Sequence, residues 1–193
     1  MAISGLVITY NEEKNIGKCI DALFEVCDEV IIVDSLSADN TVKIAEEKGA
    51  KVISQKFLGD GPQRTHGLPF CKNDWVLNLD ADEFLDKDAK EFILKGKYLE
   101  GNYDAFSFRV KNFLADELID FSGWYPDHKV RFFNKKTAKP SEAKVHQKIE
   151  RTNEKKVAVH ILHYGWESFE RIIAKNNQYS TWHGQQLFDQ GKR

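Results

Sequence analysis

Acidic side chains follow three of the apolar segments in the first half of the chain. Glu12 comes soon after the first segment, Asp34 ends the second, and Asp80 and Asp82 follow a later one as an Asp-Ala-Asp sequence. Carboxylates that lie close together raise one another's pKa values unless a cation or hydrogen-bond donors compensate. Mg²⁺ and Mn²⁺ bind through one or two carboxylates plus the oxygens of a phosphorylated substrate. The pattern therefore predicts a site for a divalent cation and a phosphorylated ligand, although any single Asp after a strand more often caps the next turn.

The elements that must position these carboxylates alternate between strand and helix. Apolar and β-branched runs predict strands at 3–9, 29–34, 50–55 and 74–79, and apolar stripes at three- and four-residue spacing predict helices near 16–27 and 41–48. This order predicts an α/β fold with a mostly parallel sheet and helices on both faces. Ligands bind outside the carboxyl ends of the strands in such a sheet, which is where the acidic residues lie.

The second half of the chain has a different pattern. We expect helices at 87–97 and 167–190, with strands between them at 103–113, 129–134, 145–150 and 156–163 that pair in an antiparallel or mixed way. No repeat or low-complexity tract separates the halves. We therefore expect one domain over 1–193, in which residues 1–100 bind a nucleotide and residues 101–193 form an aromatic half that closes over it.

Composition excludes several classes of protein. The 193 residues carry a net charge of -2, with 41% hydrophobic and 30% charged residues, which is typical of a folded domain and argues against a dedicated nucleic-acid binder. No apolar run approaches the ~20 residues of a membrane span, and the N-terminus lacks the basic start of a signal peptide. Cys19, Cys27 and Cys71 show no Cys-x-x-Cys spacing, which favours reduced thiols and a cytoplasmic protein.

Three motifs resemble those of family 2 glycosyltransferases, which have the GT-A fold: Val7-Ile8-Thr9-Tyr10-Asn11-Glu12-Glu13, Asp34-Ser35 with Asp39-Asn40-Thr41, and Leu79-Asp80-Ala81-Asp82-Glu83. Further segments resemble the bacterial lipopolysaccharide-core β-1,4-glucosyltransferase group: Gly61-Pro62-Gln63-Arg64, Gly123-Trp124-Tyr125-Pro126-Asp127, Arg131-Phe132-Phe133, Val145-His146 and His163-Tyr164. The resemblance covers nearly the whole chain. It implies a GT-A domain with a smaller mixed or antiparallel portion on the acceptor side.

The resemblance also implies an activity, the inverting transfer of a hexose from a UDP-sugar. UDP-glucose is the favoured donor, and the acceptor is a saccharide or lipid-linked saccharide of the lipopolysaccharide inner core. Negative charge builds on the departing diphosphate, and Mg²⁺ or Mn²⁺ can neutralise it. By the family's pattern, Asp82 binds this cation and His163 completes its shell; the alternative for His163 is a partly buried side chain bonded to backbone.

The family's pattern also gives the residues that contact the donor: Thr9, Tyr10 and Glu12 near the base, Asp34 near the uracil or ribose, Asp80 on the ribose side, and Arg64 at a phosphate. Arginine can pair with phosphate through two parallel hydrogen bonds. The alternative for Arg64 is a solvated residue at the start of a helix.

Inverting transfer needs a general base to accept the proton of the acceptor hydroxyl. The resembling group carries Val-His-Glu where this chain has Val145-His146-Gln147, and an amide cannot accept that proton at neutral pH. We therefore expect Asp127 to be the base, with Glu142 second, although Pro-Asp before a strand is also common in turns. The residues expected at the acceptor are Trp124, Tyr125, His146 and Gln147, with core packing as the ordinary alternative for the aromatic ones.

Two further features leave alternatives open. His160 and His163 lie at an odd offset on one strand, so they face opposite sides and do not share a zinc ion. The helix at 167–190 either packs on the domain or lies on the anionic surface of the inner membrane.

Three other functions compete with the transferase. Asp80 and Asp82 after an apolar strand are compatible with a phosphohydrolase of the haloacid-dehalogenase type, although that class has its Asp pair near the N-terminus. A nucleotidyltransferase is disfavoured because no glycine-rich phosphate loop follows the first strand. A glycosyltransferase-like domain that binds nucleotide sugar without turnover is compatible with Gln147.

Overall fold

The computed structural model describes residues 2–121, 123–143, 148–150, 153–166, 168–189 and 191. The strands are β1 (Ile3–Thr9), β2 (Glu29–Asp34), β3 (Lys51–Ser54), β4 (Trp75–Asp80), β5 (Glu83–Leu85), β6 (Ala105–Leu114), β7 (Glu117–Ile119), β8 (Asp127–Asn134), β9 (Lys139–Pro140), β10 (Ile149–Glu150) and β11 (Glu154–Trp166). The helices are α1 (Ile16–Phe24), α2 (Thr41–Glu47), α3 (Asp60–Gly67), α4 (Lys87–Leu94) and α5 (Phe169–Asp189).

One large sheet runs through the described part of the molecule in the order β3-β2-β1-β4-β8-β6-β11-β5. The first four strands are parallel, as predicted. Strand β8 then pairs antiparallel with both β4 and β6, β11 runs parallel to β6, and β5 pairs antiparallel with β11. Strand β7 pairs antiparallel with β6, and β9 pairs with β10 in a separate two-stranded sheet. The sequence prediction of a parallel first half and a mixed second half is confirmed.

The strands of the first half alternate between two hydrophobic layers, one on each face of the sheet. Val30 and Ile32 of β2 pack into the layer that also receives α1, whereas Ile31 and Val33 pack into the opposite layer. On that second face α3 approaches the sheet closely at Gly67, where an added Cβ would stand 2.5 Å from Leu6 and 2.7 Å from Val33. Helices therefore cover both faces, as the sequence predicted.

Aromatic rings join the two halves of the domain. Trp75 at the start of β4 contacts Phe132 of β8 with a centroid distance of 5.0 Å, and Tyr98 contacts Phe132 edge-to-face at 4.9 Å. Phe106 of β6 lies 5.9 Å from Trp75. Pairs of this kind contribute about 0.5–1.5 kcal/mol each beyond the area they bury. This cluster fixes β8 beside β4, and so fixes the residues that β8 carries toward the site.

Several element boundaries differ from those predicted. Helix α4 ends at Leu94, three residues early, because Gly96 adopts a left-handed conformation (φ 66°) that ends helices. Strand β11 is longer than predicted, and of the predicted strand at 145–150 the described residues form only Ile149–Glu150. Within the described residues, none of the helices has both the length and the apolar character that a bilayer span requires. All three cysteines are buried and free.

Candidate active site

The carboxyl ends of β2, β1 and β4 form one edge of the sheet. Thr9 of β1 lies opposite Asp34 of β2, and Ile8 of β1 lies opposite Asp80 of β4. With neighbouring strands about 4.8 Å apart, the backbones of Asp34 and Asp80 are about 10 Å from each other. The structure thus brings together the strand-end acids that the sequence placed on one edge.

Hydrogen bonds tie the loop after β1 to the loop after β2. The Asn11 backbone N–H donates to Ser37 Oγ (2.8 Å), and the Ala38 N–H donates to Asn11 Oδ1 (2.8 Å). The Glu12 N–H donates to Thr41 Oγ1 at the start of α2 (2.7 Å). Tyr10, the residue before Asn11, is 59% exposed. The two loops, residues 10–13 and 35–41, therefore form one connected surface, the ledge, which presents the Tyr10 ring to solvent.

Other predicted donor residues lie under or beside this ledge. Asp34 is buried and accepts from the Ser37 N–H (3.0 Å) and the Ser37 hydroxyl, so it caps the turn after β2, which was the alternative for a single Asp. Thr9 is also buried, and its hydroxyl has no hydrogen-bond partner among the described residues. The Glu12 carboxylate accepts from Asn15 Nδ2 (2.8 Å) at the start of α1.

Asp80 is held by two arginines. Arg64 donates to Asp80 Oδ1, and Arg131 donates to Asp80 Oδ2 at 2.8 Å. Burial raises the pKa of Asp80, but the charges of Arg64 and Arg131 outweigh it and hold that pKa far below its usual range. Arg131 also donates to Glu83, whose other oxygen accepts from the Asp80 backbone N–H (3.1 Å). The positive charges of the two guanidinium groups therefore offset the repulsion between the clustered carboxylates at Asp80.

Arg64 lies beneath Asp80 and is only 3% exposed, so it is not a solvated residue at a helix start. Its second donor group reaches Asn78 Oδ1 at 2.6 Å. Sequence reasoning missed Glu83 and Arg131 as members of this network. The available signal was an arginine between Val130 and Phe132 in a strand whose following positions are apolar.

Asp82 and His163 face each other at the far side of the Asp-Ala-Asp turn. Asp82 Oδ2 lies 3.5 Å from His163 Nε2, and both residues are less than 9% exposed. Burial lowers the pKa of His163, but its hydrogen bond to Asp82 and the charges of Asp82 and Glu83 outweigh burial and raise that pKa. A Cβ on Gly165 would stand 2.5 Å from His163 Nε2 and 2.6 Å from Asp82 Oδ2. Only glycine at position 165 leaves both atoms their present positions.

This pair fits a divalent cation by its donor set. A carboxylate oxygen and an imidazole nitrogen converge within the span of one ion's coordination shell; carboxylates suit Mg²⁺ and Mn²⁺, and imidazole is a ligand of several divalent transition metals. No group of three or more His, Cys, Asp or Glu side chains suited to a metal occurs among the described residues. Asp82 and His163 would therefore provide two ligands and leave the other positions to phosphate oxygens and water.

His160 has a separate set of partners. Its Nδ1 pairs with Asp86 Oδ2 at 3.0 Å, and its Nε2 bonds the Tyr125 hydroxyl at 3.0 Å. His160 and His163 contact different carboxylates, Asp86 and Asp82. Tyr125, expected at the acceptor, instead uses its hydroxyl to anchor the loop before β8.

A cavity of about 300 Å³ opens beside His163, lined by Asn112, Gly123, Trp124, Asp127, Lys129, His163 and Trp166. Three of these residues, Trp124, Asp127 and His163, were predicted for the site, and the structure brings them together. The rings of Trp124 and Trp166 meet edge-to-face at 5.7 Å. Lys129 Nζ lies 3.8 Å from Asp127 Oδ2. Sequence reasoning missed Asn112, Lys129 and Trp166, because only the pairing of β6, β8 and β11 brings them to one place.

The remaining predicted residues lie elsewhere. Glu142 is exposed, does not line the cavity, and precedes Ala143, whose carbonyl accepts from the Gly61 N–H (3.1 Å). His146 and Gln147 lie outside the described residues.

The sequence of this chain matches known glycosyltransferases. The family model for "Glycosyl transferase family 2" matches residues 4–145. An uncharacterized glycosyltransferase of Rickettsia felis is 33% identical over 99% of this chain and 72% of its own length. The lipopolysaccharide core biosynthesis glycosyltransferase LpsC of Rhizobium meliloti is 29% identical over 100% of this chain and 74% of its own length.

Solved structures show the fold. The 1–349 fragment of S. aureus TarS superimposes with a TM-score of 0.59 at 18% identity, over 86% of this chain and 61% of that fragment. The α/β sheet described above is the GT-A fold of such neighbours. The family match extends over about three quarters of the residues and includes the edge that carries Asp34, Asp80 and Asp82. The chain belongs to glycosyltransferase family 2.

Proposed function

We propose that this protein is an inverting glycosyltransferase that moves a hexose from a UDP-sugar, with UDP-glucose favoured, to a saccharide acceptor. The observation that carries the proposal is the position of the Asp82–His163 pair. Asp82 follows β4, which pairs with β1, the strand that leads into the ledge, and His163 lines the cavity that contains Asp127 and Trp124. A donor on the ledge and an acceptor in the cavity would meet at this pair.

The nucleotide binds on the ledge. Tyr10 offers an exposed ring that can stack on the base, and the Thr9 hydroxyl and Glu12 are the polar groups beside it. Asp34 contacts the uracil or ribose and Asp80 faces the ribose side, with Asp80 ionised because its pKa is lowered. Arg64, predicted at a phosphate, is instead buried with its guanidinium bonded to Asn78 and Asp80, so it acts on the donor through the Asp80 carboxylate.

Asp82 and His163 would hold Mg²⁺ or Mn²⁺. When bound, such an ion supplies positive charge that stabilises the departing diphosphate. The protein's part is to keep the two ligands convergent, which the buried position of both side chains and the absence of a side chain at Gly165 accomplish.

The acceptor saccharide stacks on Trp124 and presents a hydroxyl to Asp127. Asp127 accepts the proton of that hydroxyl. At the same time the hydroxyl oxygen forms a bond to the anomeric carbon of the donor, and the bond from that carbon to the diphosphate breaks. Attack from the face opposite the diphosphate inverts the anomeric centre. Lys129 Nζ lies 3.8 Å from Asp127 Oδ2 in the same cavity. Glu142 is the second candidate for the base, and its exposed position off the cavity makes it the weaker one.

The biological acceptor we propose is a lipid-linked saccharide of the lipopolysaccharide inner core. Support comes from LpsC, a named core-biosynthesis glycosyltransferase that aligns with the whole of this chain. Transfer would then take place in the cytoplasm, with peripheral contact at the inner membrane as a further part of the proposal.

A donor panel tests the function. UDP-glucose, UDP-galactose, UDP-N-acetylglucosamine and GDP-mannose are incubated with Mn²⁺, or with EDTA, and the release of nucleoside diphosphate is measured with and without saccharide acceptors. We expect slow Mn²⁺-dependent release of UDP from UDP-glucose that an acceptor accelerates.

Three other results would contradict this proposal in different ways. UDP-sugar binding without turnover in any mixture would favour the catalytically impaired domain that Gln147 suggests. Phosphate release from simple phosphomonoesters would favour the hydrolase. Failure to bind any nucleotide sugar would remove the proposal altogether.

A further inference from the structure

We propose that Asn112 is a positioning residue that fixes the ring of His163 for cation binding and at the same time holds the loop that carries Trp124. One amide would then connect the cation side of the site to the acceptor side. The role in cation binding rests on the proposed function. The orientation of His163 rests only on the hydrogen bonds of the buried Asn112 side chain.

The geometry begins with the pairing of two parallel strands. Asn112 of β6 lies directly opposite His163 of β11, and both residues are less than 9% exposed. Asn112 Oδ1 lies 2.7 Å from His163 Nδ1, and Asn112 Nδ2 donates to the Trp124 carbonyl at 3.3 Å. A backbone carbonyl can only accept, so the NH₂ end of the amide must face Trp124 and its oxygen must face the histidine.

The orientation of the amide determines which ring nitrogen of His163 carries the proton. An amide oxygen only accepts hydrogen bonds, so His163 Nδ1 must be the protonated nitrogen. In the neutral ring the lone pair then lies on Nε2, the atom that faces Asp82 Oδ2. A histidine binds a metal through its unprotonated nitrogen, and a hydrogen bond at the other nitrogen sets its orientation.

His160 shows what this arrangement adds. Its Nδ1 is also held, by Asp86, but its Nε2 bonds the Tyr125 hydroxyl and so faces no second ligand. Of the two histidines on β11, His163 alone combines a fixed Nδ1 with an Nε2 that faces a carboxylate.

Two substitutions separate the two hydrogen bonds. Asn112→Leu keeps a similar volume and removes both bonds, whereas Asn112→Asp keeps an acceptor for His163 Nδ1–H and loses the donor to the Trp124 carbonyl. Asn176→Leu, at an exposed position of α5, is the matched control. Thermal unfolding confirms that each variant is folded before binding is measured.

The first measurement is made on cation-free, ¹⁵N-labelled protein, at a pH above the midpoint of the His163 titration followed in the same spectra. Long-range ¹H–¹⁵N spectra report the tautomer of His163, assigned with His163→Gln. We expect the Nδ1–H form in the wild type, in Asn112→Asp and in the control, and a mixture of forms in Asn112→Leu. An Nε2–H ring in the wild type, or an unchanged ring in Asn112→Leu, would overturn the proposal.

The second measurement is the Mn²⁺ dissociation constant by electron paramagnetic resonance, in the presence of UDP. We expect Asn112→Leu to weaken binding about 10–100-fold, as loss of an orienting partner does, and Asn112→Asp to retain it. Loss of Mn²⁺ binding in Asn112→Asp equal to that in Asn112→Leu would overturn the proposal. If the tautomer changes as expected but neither the wild type nor any variant binds Mn²⁺, the cation site of the proposed function is wrong, and the role of Asn112 in orienting His163 is still supported.

Discussion

Replacing Arg131 by Met tests the buried ionic network that holds the Asp-Ala-Asp turn. Arg131 is 4% exposed and donates both to Asp80 and to Glu83, which is 1% exposed. Two charge-assisted hydrogen bonds at about 1.5–3 kcal/mol each are lost, and removal of one partner of a buried ion pair costs about 3–5 kcal/mol. Met fills much of the aliphatic volume, so we expect the free energy of unfolding to fall by about 3–5 kcal/mol.

The assay is equilibrium unfolding in urea at pH 7, with Lys136→Met as the matched control. Lys136 Nζ lies 2.7 Å from Asp74 Oδ2, but both side chains are largely exposed, and such surface pairs contribute about 0–1 kcal/mol. If Arg131→Met costs no more than Lys136→Met, the network does not hold the turn and our reasoning is wrong.

The same variant has an expected pH dependence. The lowered pKa of Asp80 means that its stabilising contribution is complete above the unfolded pKa of about 3.9 and is lost as pH falls toward the folded value. The wild type should therefore lose stability on acidification below about pH 4. Because Arg131→Met removes one of the two cations that lower this pKa, it should lose less over the same range.

Three further predictions concern the cation, the base and the core. Gly165→Ala should leave the protein folded but abolish Mn²⁺ binding, because its Cβ would displace His163 Nε2 and Asp82 Oδ2; an unchanged Mn²⁺ dissociation constant would remove the assignment of these ligands. Asp127→Asn should lower kcat about 10²–10⁴-fold while the UDP dissociation constant from calorimetry stays the same, and a variant with full turnover would move the base elsewhere. Phe132→Ala should lower the free energy of unfolding in urea by about 3–5 kcal/mol, because the ring is fully buried; a loss below about 1 kcal/mol would contradict the structural role of the aromatic cluster.

The acids at the strand ends were predictable from the sequence because their position depends only on the residues next to them in the chain. A buried strand that ends in an acid places that acid at the carboxyl end of the sheet, and β2 and β4 both end in this way on either side of β1. Asp34 and Asp80 therefore needed no tertiary information to be placed together. The role of each acid did require tertiary information, since Asp34 also caps a turn.

The second half of the site depends on contacts between distant parts of the chain. Arg131 is separated from Asp80 by 51 positions and reaches it only because β8 pairs with β4. Asn112 likewise meets His163 only because β6 and β11 run parallel in register. Periodicity predicts that these strands exist but not which strands are neighbours. The contact of Arg131 with Asp80 and that of Asn112 with His163 could therefore not be predicted from the sequence.

The central claim is that Asp82 and His163 hold a cation that binds the diphosphate of the donor. Calorimetric titration of UDP and of uridine into the wild type and into Asp82→Asn, each with Mn²⁺ and with EDTA, tests it directly. We predict that Mn²⁺ tightens the binding of UDP but not of uridine to the wild type, and that Asp82→Asn loses this difference. Equal UDP affinity in both proteins with Mn²⁺ present would contradict the claim.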